Sequence, residues 1–192
     1  MNPWQPGEPL RIETERFYVR TFTPDDVNET YLGWWNDAEI QKGFGFPPRN
    51  WDLKMATDHV RQFNNRDKFH FGIYLKSNDE LIGFYTLFVE SDIGIAVPNI
   101  CIGDKNYWGK HTATEVVTPF FDFIFKVLGA NKIEVRIRGV NPATIGILKH
   151  FGFTKEGQLR QRVEGIGGGR ADLHIYGMLK EEWLASLADQ GS

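Results

Sequence analysis

The nine residues YWGKHTATE, 107–115, bring together what binds phosphate: a glycine, a lysine, two threonines and a helix-like run behind them. A strand-like run ending at Ile102 precedes them. A helix start carries N–H groups with no intrahelical partner and about half a positive charge, so such a junction suits an anion. Three readings are open. A nucleotide P-loop requires Gly, four residues, then Gly-Lys-Ser/Thr. Here five residues separate Gly103 from Gly109, and His111 intervenes before Thr112, so the wrap of the loop is altered twice. A coenzyme turn would set backbone N–H groups against a pyrophosphate. A plain strand-to-helix connection would leave Lys110 and His111 in solvent.

Other residues could take part in chemistry. Asn141-Pro142 opens a helix that Gly152 closes, the usual placing of cap, proline and glycine, with Thr144 in its first turn. Cys101, the single cysteine, reads as a small buried apolar residue rather than a nucleophile. Trp34, Trp35, Phe44 and Phe46 lie in or near a Gly/Pro-broken stretch, where they offer flat surfaces for stacking or serve as core anchors.

The elements that must position these residues mix types. LRIETERFYVRTF reads as one strand, Thr23-Pro24 as a helix start running toward Trp34-Trp35, and KGFGFPPR, 42–49, as a loop. Asn50 is expected to cap a helix carrying Leu53, Ala56, Val60 and Phe63. Strands follow at 68–76, 80–90 and 96–102. Next comes a helix with an apolar stripe from Ala113 to Val127, interrupted by Pro119 at a cost of ~3 kcal/mol if nothing compensates. KIEVRIR, 132–138, alternates as a strand, and two further strands flank GIGGG before a last short helix from Glu181. Consecutive strands among helices indicate an α+β fold, with an antiparallel sheet and a parallel portion. Residues 1–9 read as an arm and 10–190 as a single domain.

Composition narrows the function classes. At 192 residues, 41% hydrophobic and 24% charged, the chain has the balance of a soluble globular protein. A net charge of −3 gives no basis for nucleic acid as a partner. One cysteine removes disulfides and cysteine-based zinc sites, so no metal is expected. No apolar run approaches the ~20 residues that span a bilayer, and the start lacks a secretion signal, so no membrane association and a cytoplasmic location are expected.

Together, IGDKNYWGKHTATEVV and NPATIGILKHFGFTKEGQLR resemble the GNAT superfamily of N-acetyltransferases, from roughly Leu10 to Trp183. Within it the chain looks most like the branch acetylating ribosomal-protein N-termini. The family's Gln/Arg-x-x-Gly-x-Gly/Ala loop falls on Trp108, Gly109, Lys110, His111, Thr112 and Ala113. The resemblance implies the GNAT acyl-CoA N-acyltransferase fold, a mixed, mostly antiparallel twisted sheet flanked by helices. It implies acetyl-CoA as co-substrate, held by residues 108–114, Thr114 included, by Asn141, and by a splayed strand carrying Cys101 and Ile102. The acceptor would be a primary amine on a peptide N-terminus or a small molecule, with the protein a monomer or homodimer.

The catalytic positions match less well. The tyrosine that serves many relatives as acid falls on Leu148, whereas Thr144 matches the serine that the ribosomal branch uses. That branch's glutamate base falls on Val163, beside Glu164; Asp104 is a weaker candidate. The acceptor is expected to meet Trp34, Trp35, Phe44 and Phe46. The vacant acid and His111, where the loop wants glycine, keep a non-catalytic acyl-CoA-binding domain as the alternative.

Overall fold

The computed structural model describes residues 4–45, 47, 49–166 and 168–190. Its centre is one eight-stranded sheet in the order β1-β2-β3-β4-β5-β6-β8-β7. The stretch expected to be one strand is a hairpin, β1 (Arg11–Glu13) and β2 (Phe17–Thr21), because Thr14 turns the chain and accepts the Phe17 N–H on its hydroxyl. β3 (Lys68–Leu75), β4 (Leu81–Glu90) and β5 (Ile95–Ile102) continue as an antiparallel meander. β6 (Lys132–Arg138) runs parallel to β5, and β8 (Arg170–Leu179) and β7 (Thr154–Glu164) complete the sheet in antiparallel pairing. This is the expected α+β mixture.

Strand alternation sorts side chains to two cores. Phe69, Phe71 and Ile73 of β3 face the helices α4 (Thr112–Asp122), α5 (Pro142–His150) and α6 (Lys180–Gln190), which contribute Phe120, Leu148 and Trp183. The opposite face carries Phe84 and Cys101, against Tyr31 and Trp34 of α1 (Glu29–Asn36), Ile40 of α2 (Ala38–Phe44), and Ala56 and Val60 of α3 (Leu53–Val60). His70 is fully enclosed on this second side, where burial lowers its pKa to about 3 and keeps it neutral. Trp4 packs on Phe69 and Phe123, at ring distances of 5.9 and 5.4 Å.

Several helix boundaries differ from expectation, each for a local reason. At Thr23 the chain makes one 3₁₀ turn (Pro24–Asp26), whose Asp26 carboxylate takes the Thr23 N–H and hydroxyl. Val27 is then extended, and Asn28 caps α1 anew by accepting the Tyr31 N–H at 3.0 Å. α2 invades the expected loop as far as Phe44, because Asp37 caps it and left-handed Gly45 (φ 70°) ends it. α3 starts from Asp52 rather than Asn50, its carboxylate accepting the Met55 N–H at 2.7 Å. The helix through Pro119 continues, and then widens into a π-helical turn at Phe123–Val127. Among the described residues no helix is long and apolar enough to cross a membrane.

Candidate active site

β5 and β6 pair only at Ile95–Lys132 and Ala96–Ile133. Beyond that the two parallel strands part, each still tied to its outer neighbour: β5 to β4 through Ile102, and β6 to β8 through Arg138. The result is a gap opening at the carboxyl ends of two parallel strands, where ligands bind in open sheets. The ladder shows which backbone groups face it. The Gly103 N–H bonds the Ile82 carbonyl beside the Gly83–Ile102 pair, so Ile102 itself points away from β4, as does Ile100 two residues earlier. By the same alternation Arg136 and Arg138 point away from β8, since the Gly139 N–H bonds the Asp172 carbonyl. Two strand edges thus face each other across the gap, as needed to hold an extended, amide-bearing arm.

The loop 108–111 and the start of α4 lie at one side of this gap. The first intrahelical bond of α4 runs from the Glu115 N–H to the His111 carbonyl at 2.9 Å, leaving the N–H groups of Thr112, Ala113 and Thr114 ahead of the ladder. Among the described residues no side chain caps them: His111 occupies the cap position in left-handed geometry (φ 58°, ψ 14°) with its ring in solvent. Gly109, also left-handed at φ 69°, makes the preceding turn. Thr112 is buried, its hydroxyl bonded to the Tyr107 carbonyl at 3.0 Å, so it braces the loop from behind. Trp108 gives its indole N–H to the Ile102 carbonyl at 2.7 Å and pins the loop to the gap edge of β5. Lys110 lies alongside Tyr107, its ammonium 5.9 Å from the ring centre.

A clamp that local sequence does not announce holds this loop. Arg16 donates from one guanidinium nitrogen to the Lys110 carbonyl at 3.0 Å and from Nε to Glu115 at 2.7 Å. Glu115 also accepts the Arg16 N–H at 2.8 Å and the Thr14 hydroxyl at 2.7 Å. Burial raises the Glu115 pKa; the Arg16 N–H, the Thr14 hydroxyl and the Arg16 guanidinium outweigh it, and the net shift is downward. Partners about a hundred positions apart leave no periodic signal.

At the other side of the gap, Asn141 caps α5 by accepting the Thr144 N–H at 3.1 Å, and its amide donates to the Gly43 carbonyl at 2.8 Å. Thr144 is half-buried, and among the described residues its hydroxyl takes no hydrogen bond. Leu148 is buried in the core. Cys101 packs with Trp34 and Phe84, and burial pushes its thiol pKa well up, against ionisation. Val163 is buried, while Glu164 is exposed opposite Arg170 at the turn end of the β7–β8 hairpin, on the other face of β7. The register shift between Leu159 and Val163 lies upstream and does not bring Glu164 to the face of Val163. Asp104 caps the 3₁₀ turn Lys105–Tyr107, accepting the Asn106 N–H at 2.9 Å.

The aromatic candidates divide. Trp34 is buried against Gly103, where any side chain would strike the indole. Trp35 is half-buried and stacks on Phe44 at 5.5 Å and Phe84 at 5.4 Å, with Trp51, which sequence reasoning missed, at 4.5 Å. Phe46 lies outside the described residues.

The residues present fit an elongated ligand with a phosphate group at one end: uncapped N–H groups and helix dipole at α4, and two diverging strand edges for the arm. Comparison with known proteins points the same way. The model of the Acetyltransferase (GNAT) domain matches residues 16–154. An uncharacterised N-acetyltransferase, p20, of Bacillus licheniformis is 30% identical over 177 residues, covering 90% of this chain and 97% of that protein. In fold, the chain is similar to the spermidine N-acetyltransferase of Vibrio cholerae, solved with CoA and spermine (TM-score 0.77, 19% identity, 88% and 98% covered). It is also similar to the ribosomal-protein-S5-alanine acetyltransferase of Vibrio fischeri (TM-score 0.76, 18% identity, 91% and 98% covered). With the family model spanning well over half its length, the chain belongs to the GNAT family of acetyltransferases.

Proposed function

We propose that this chain transfers an acetyl group from acetyl-CoA to a primary amine, by direct attack within a ternary complex. The observation that carries the reading is the gap between β5 and β6, flanked by an uncapped helix start. The N–H groups of Thr112, Ala113 and Thr114 and the turn at Gly109 would take the pyrophosphate, and the edges of β5 and β6 the pantetheine arm. Acetyl-CoA supplies the activated acyl group when bound.

This chain's residues have three tasks. Backbone N–H groups along the gap edge of β5 are available to the oxygen on which charge develops. The Thr144 hydroxyl, with no other partner among the described residues, can meet the coenzyme sulfur, hydrogen-bond the leaving thiolate and relay to it a proton taken from water. Amine deprotonation falls to water, since Glu164 and Val163 occupy opposite faces of β7. Water as base favours weakly basic amines: at pH 7 freeing a lysine-like amine costs about 4.6 kcal/mol, an α-amine only about 1.4 kcal/mol. The acceptor is therefore a peptide N-terminus or an amine of similar pKa, approaching from the face of α1–α3, where Trp35 and Phe44 lie.

Calorimetric titration with acetyl-CoA beside one with Mg-ATP tests the coenzyme reading: micromolar acetyl-CoA binding with silent ATP is expected. Thiol release is then screened over peptides, amino sugars and polyamines. Binding without thiol release would favour a non-catalytic acyl-CoA-binding domain, the reading to which buried Leu148 at the family's tyrosine position lends weight.

A further inference from the structure

We propose that Asn99, in the middle of β5, takes hold of the attacking amine: its side-chain oxygen accepts an amine N–H and turns the nitrogen lone pair toward the acyl carbon. The inference rests on the acetyl-transfer reading above and adds to it a residue on the acceptor side.

The run Pro98-Asn99-Ile100 sets the geometry. In β5 the backbone groups of even-numbered residues face β6: the Gly94 carbonyl takes the Asn131 N–H at 2.8 Å, and Ile100 and Ile102 point away from β4. Ala96 is the last residue of that row to pair, and Pro98, the next, has no N–H to give. A proline sits inside a sheet only where no ladder bond is asked of it, so the pairing to β6 stops where Pro98 stands. An arm running inward from loop 108–114 therefore meets the Ile102 N–H first and the Ile100 N–H last. The carbonyl on which charge develops belongs at that last donor, one residue from Asn99.

Odd-numbered residues of β5 project to the face of α1–α3, as Cys101 does against Trp34 and Phe84. In that row Val97 and Cys101 are buried, yet Asn99 between them is exposed, and its cross-strand neighbour Thr86 is buried. The helical roof thus leaves an opening at one side chain, and there an otherwise apolar strand carries an amide, a group that strands disfavour. Among the described residues the Asn99 amide forms no hydrogen bond. Arg136 stands level with it across the gap, four residues on from the Ile95–Lys132 pair. It shares the face of Arg138, whose Cβ meets α2 at Gly45, and it occupies Glu134 at 2.6 Å and Glu90 at 3.1 Å. A guanidinium only donates, so the N–H of an incoming amine is left to the Asn99 oxygen. The amide does not titrate; it orients the amine and leaves the proton to water. As the N–C bond forms and the C–S bond breaks, the amine's proton passes to water and the thiolate takes one relayed by Thr144.

Two variants separate this role from a structural one. Asn99→Leu keeps the shape of the amide without its polar atoms, and Asn99→Asp keeps an accepting oxygen. The probes are CoA and the best α-amine peptide of the thiol-release screen, with turnover read at pH 9, above the amine pKa of about 8. N99L should lose about ten-fold in turnover and bind that peptide about five-fold more weakly on the CoA-saturated protein, by calorimetry. Its CoA affinity should stay within about two-fold of wild type, and its melting temperature should hold or rise, since leucine suits a strand better. N99D should keep turnover within about three-fold. Equal turnover in N99L would overturn the assignment, and so would an N99D as slow as N99L, which would make the amide nitrogen the working atom. Weaker CoA binding by N99L at an unchanged melting temperature would overturn it too, by placing Asn99 on the coenzyme. A wild type that binds CoA yet releases thiol with no peptide would remove the acetyl-transfer reading, and this inference with it.

Discussion

Two strand-to-helix junctions flank the gap, and they are finished in opposite ways. After β6, Asn141 caps α5, Pro142 supplies a first residue with no N–H, and the Thr144 N–H is bonded. After β5, a left-handed His111 stands at the cap of α4 with no side-chain bond, and among the described residues three N–H groups have no partner. Leaving such donors without a partner is costly unless water or a ligand takes them. The uncapped end is thus suited to an anion and the capped end to holding geometry. A helix start announces a binding site by what it leaves unsatisfied.

The largest test strikes the open end. Ala113→Asp places a carboxylate in the first turn of α4, where it complements the helix dipole. Stability should hold or rise by about 0.3–1 kcal/mol. Acetyl-CoA affinity should fall about 100-fold, because the new charge sits where the pyrophosphate is proposed to lie. Thermal melting and calorimetry read the two signs separately, and unchanged affinity would mean that the coenzyme does not use this helix end.

At the capped end the expected loss is in rate. Thr144→Ala removes a hydroxyl that has no hydrogen bond among the described residues, while Asn141 continues to bind the Thr144 backbone N–H. Turnover should drop about 100-fold with the melting temperature and coenzyme affinity nearly constant. Equal turnover would return Thr144 to the role of an ordinary first-turn residue.

Arg16→Ala loosens the clamp that shapes the open end, and coenzyme affinity should weaken about ten-fold. The clamp also sets an acid limit. The folded pKa of Glu115 is lowered, so its contribution is complete above the unfolded value near 4.3 and is lost as pH falls through the folded one. Wild-type coenzyme affinity should weaken in acid, as pH falls through the lowered folded value of Glu115, more steeply than that of the variant. A parallel decline in both would assign the acid limit to another group.

How much of this could be read beforehand depended on whether the determinants were local. Alternation in 68–76 and 132–138 gave the strands and their buried faces, since side-chain period and burial are the same fact. Asn141-Pro142 and Gly152 marked α5 because capping is decided within a few residues. The hairpin hidden in LRIETERFYVRTF was not legible, because its turn closes through the Thr14 hydroxyl rather than a glycine. Asp52 won over Asn50 as the cap of α3 because the Trp51 N–H is held by Asn36, fifteen residues earlier. In the site, loop 108–114 stood out through Gly109 and the helix behind it. The partners that hold it, Thr14 and Arg16, and the Gly43 contact of Asn141 are tertiary pairings with no sequence signature.

The smallest effect falls on the residue where the two junctions differ most. His111 adopts the left-handed conformation that a glycine at its position would take freely, at a cost of about 1–2 kcal/mol for a residue with a Cβ. Replacing it by glycine relieves that cost but adds freedom to the unfolded chain worth about 0.5–1 kcal/mol, so His111→Gly should stabilise by about 1 kcal/mol or less. Thermal melting measures that difference, and calorimetry asks a separate question. The ring is exposed and caps nothing, so its removal clears space at the open N–H groups, and acetyl-CoA should bind as well or a few-fold tighter. Weaker binding by H111G would mean that the imidazole itself contacts the phosphate. The open end of α4 would then carry a side-chain anion contact that the capped end of α5 lacks.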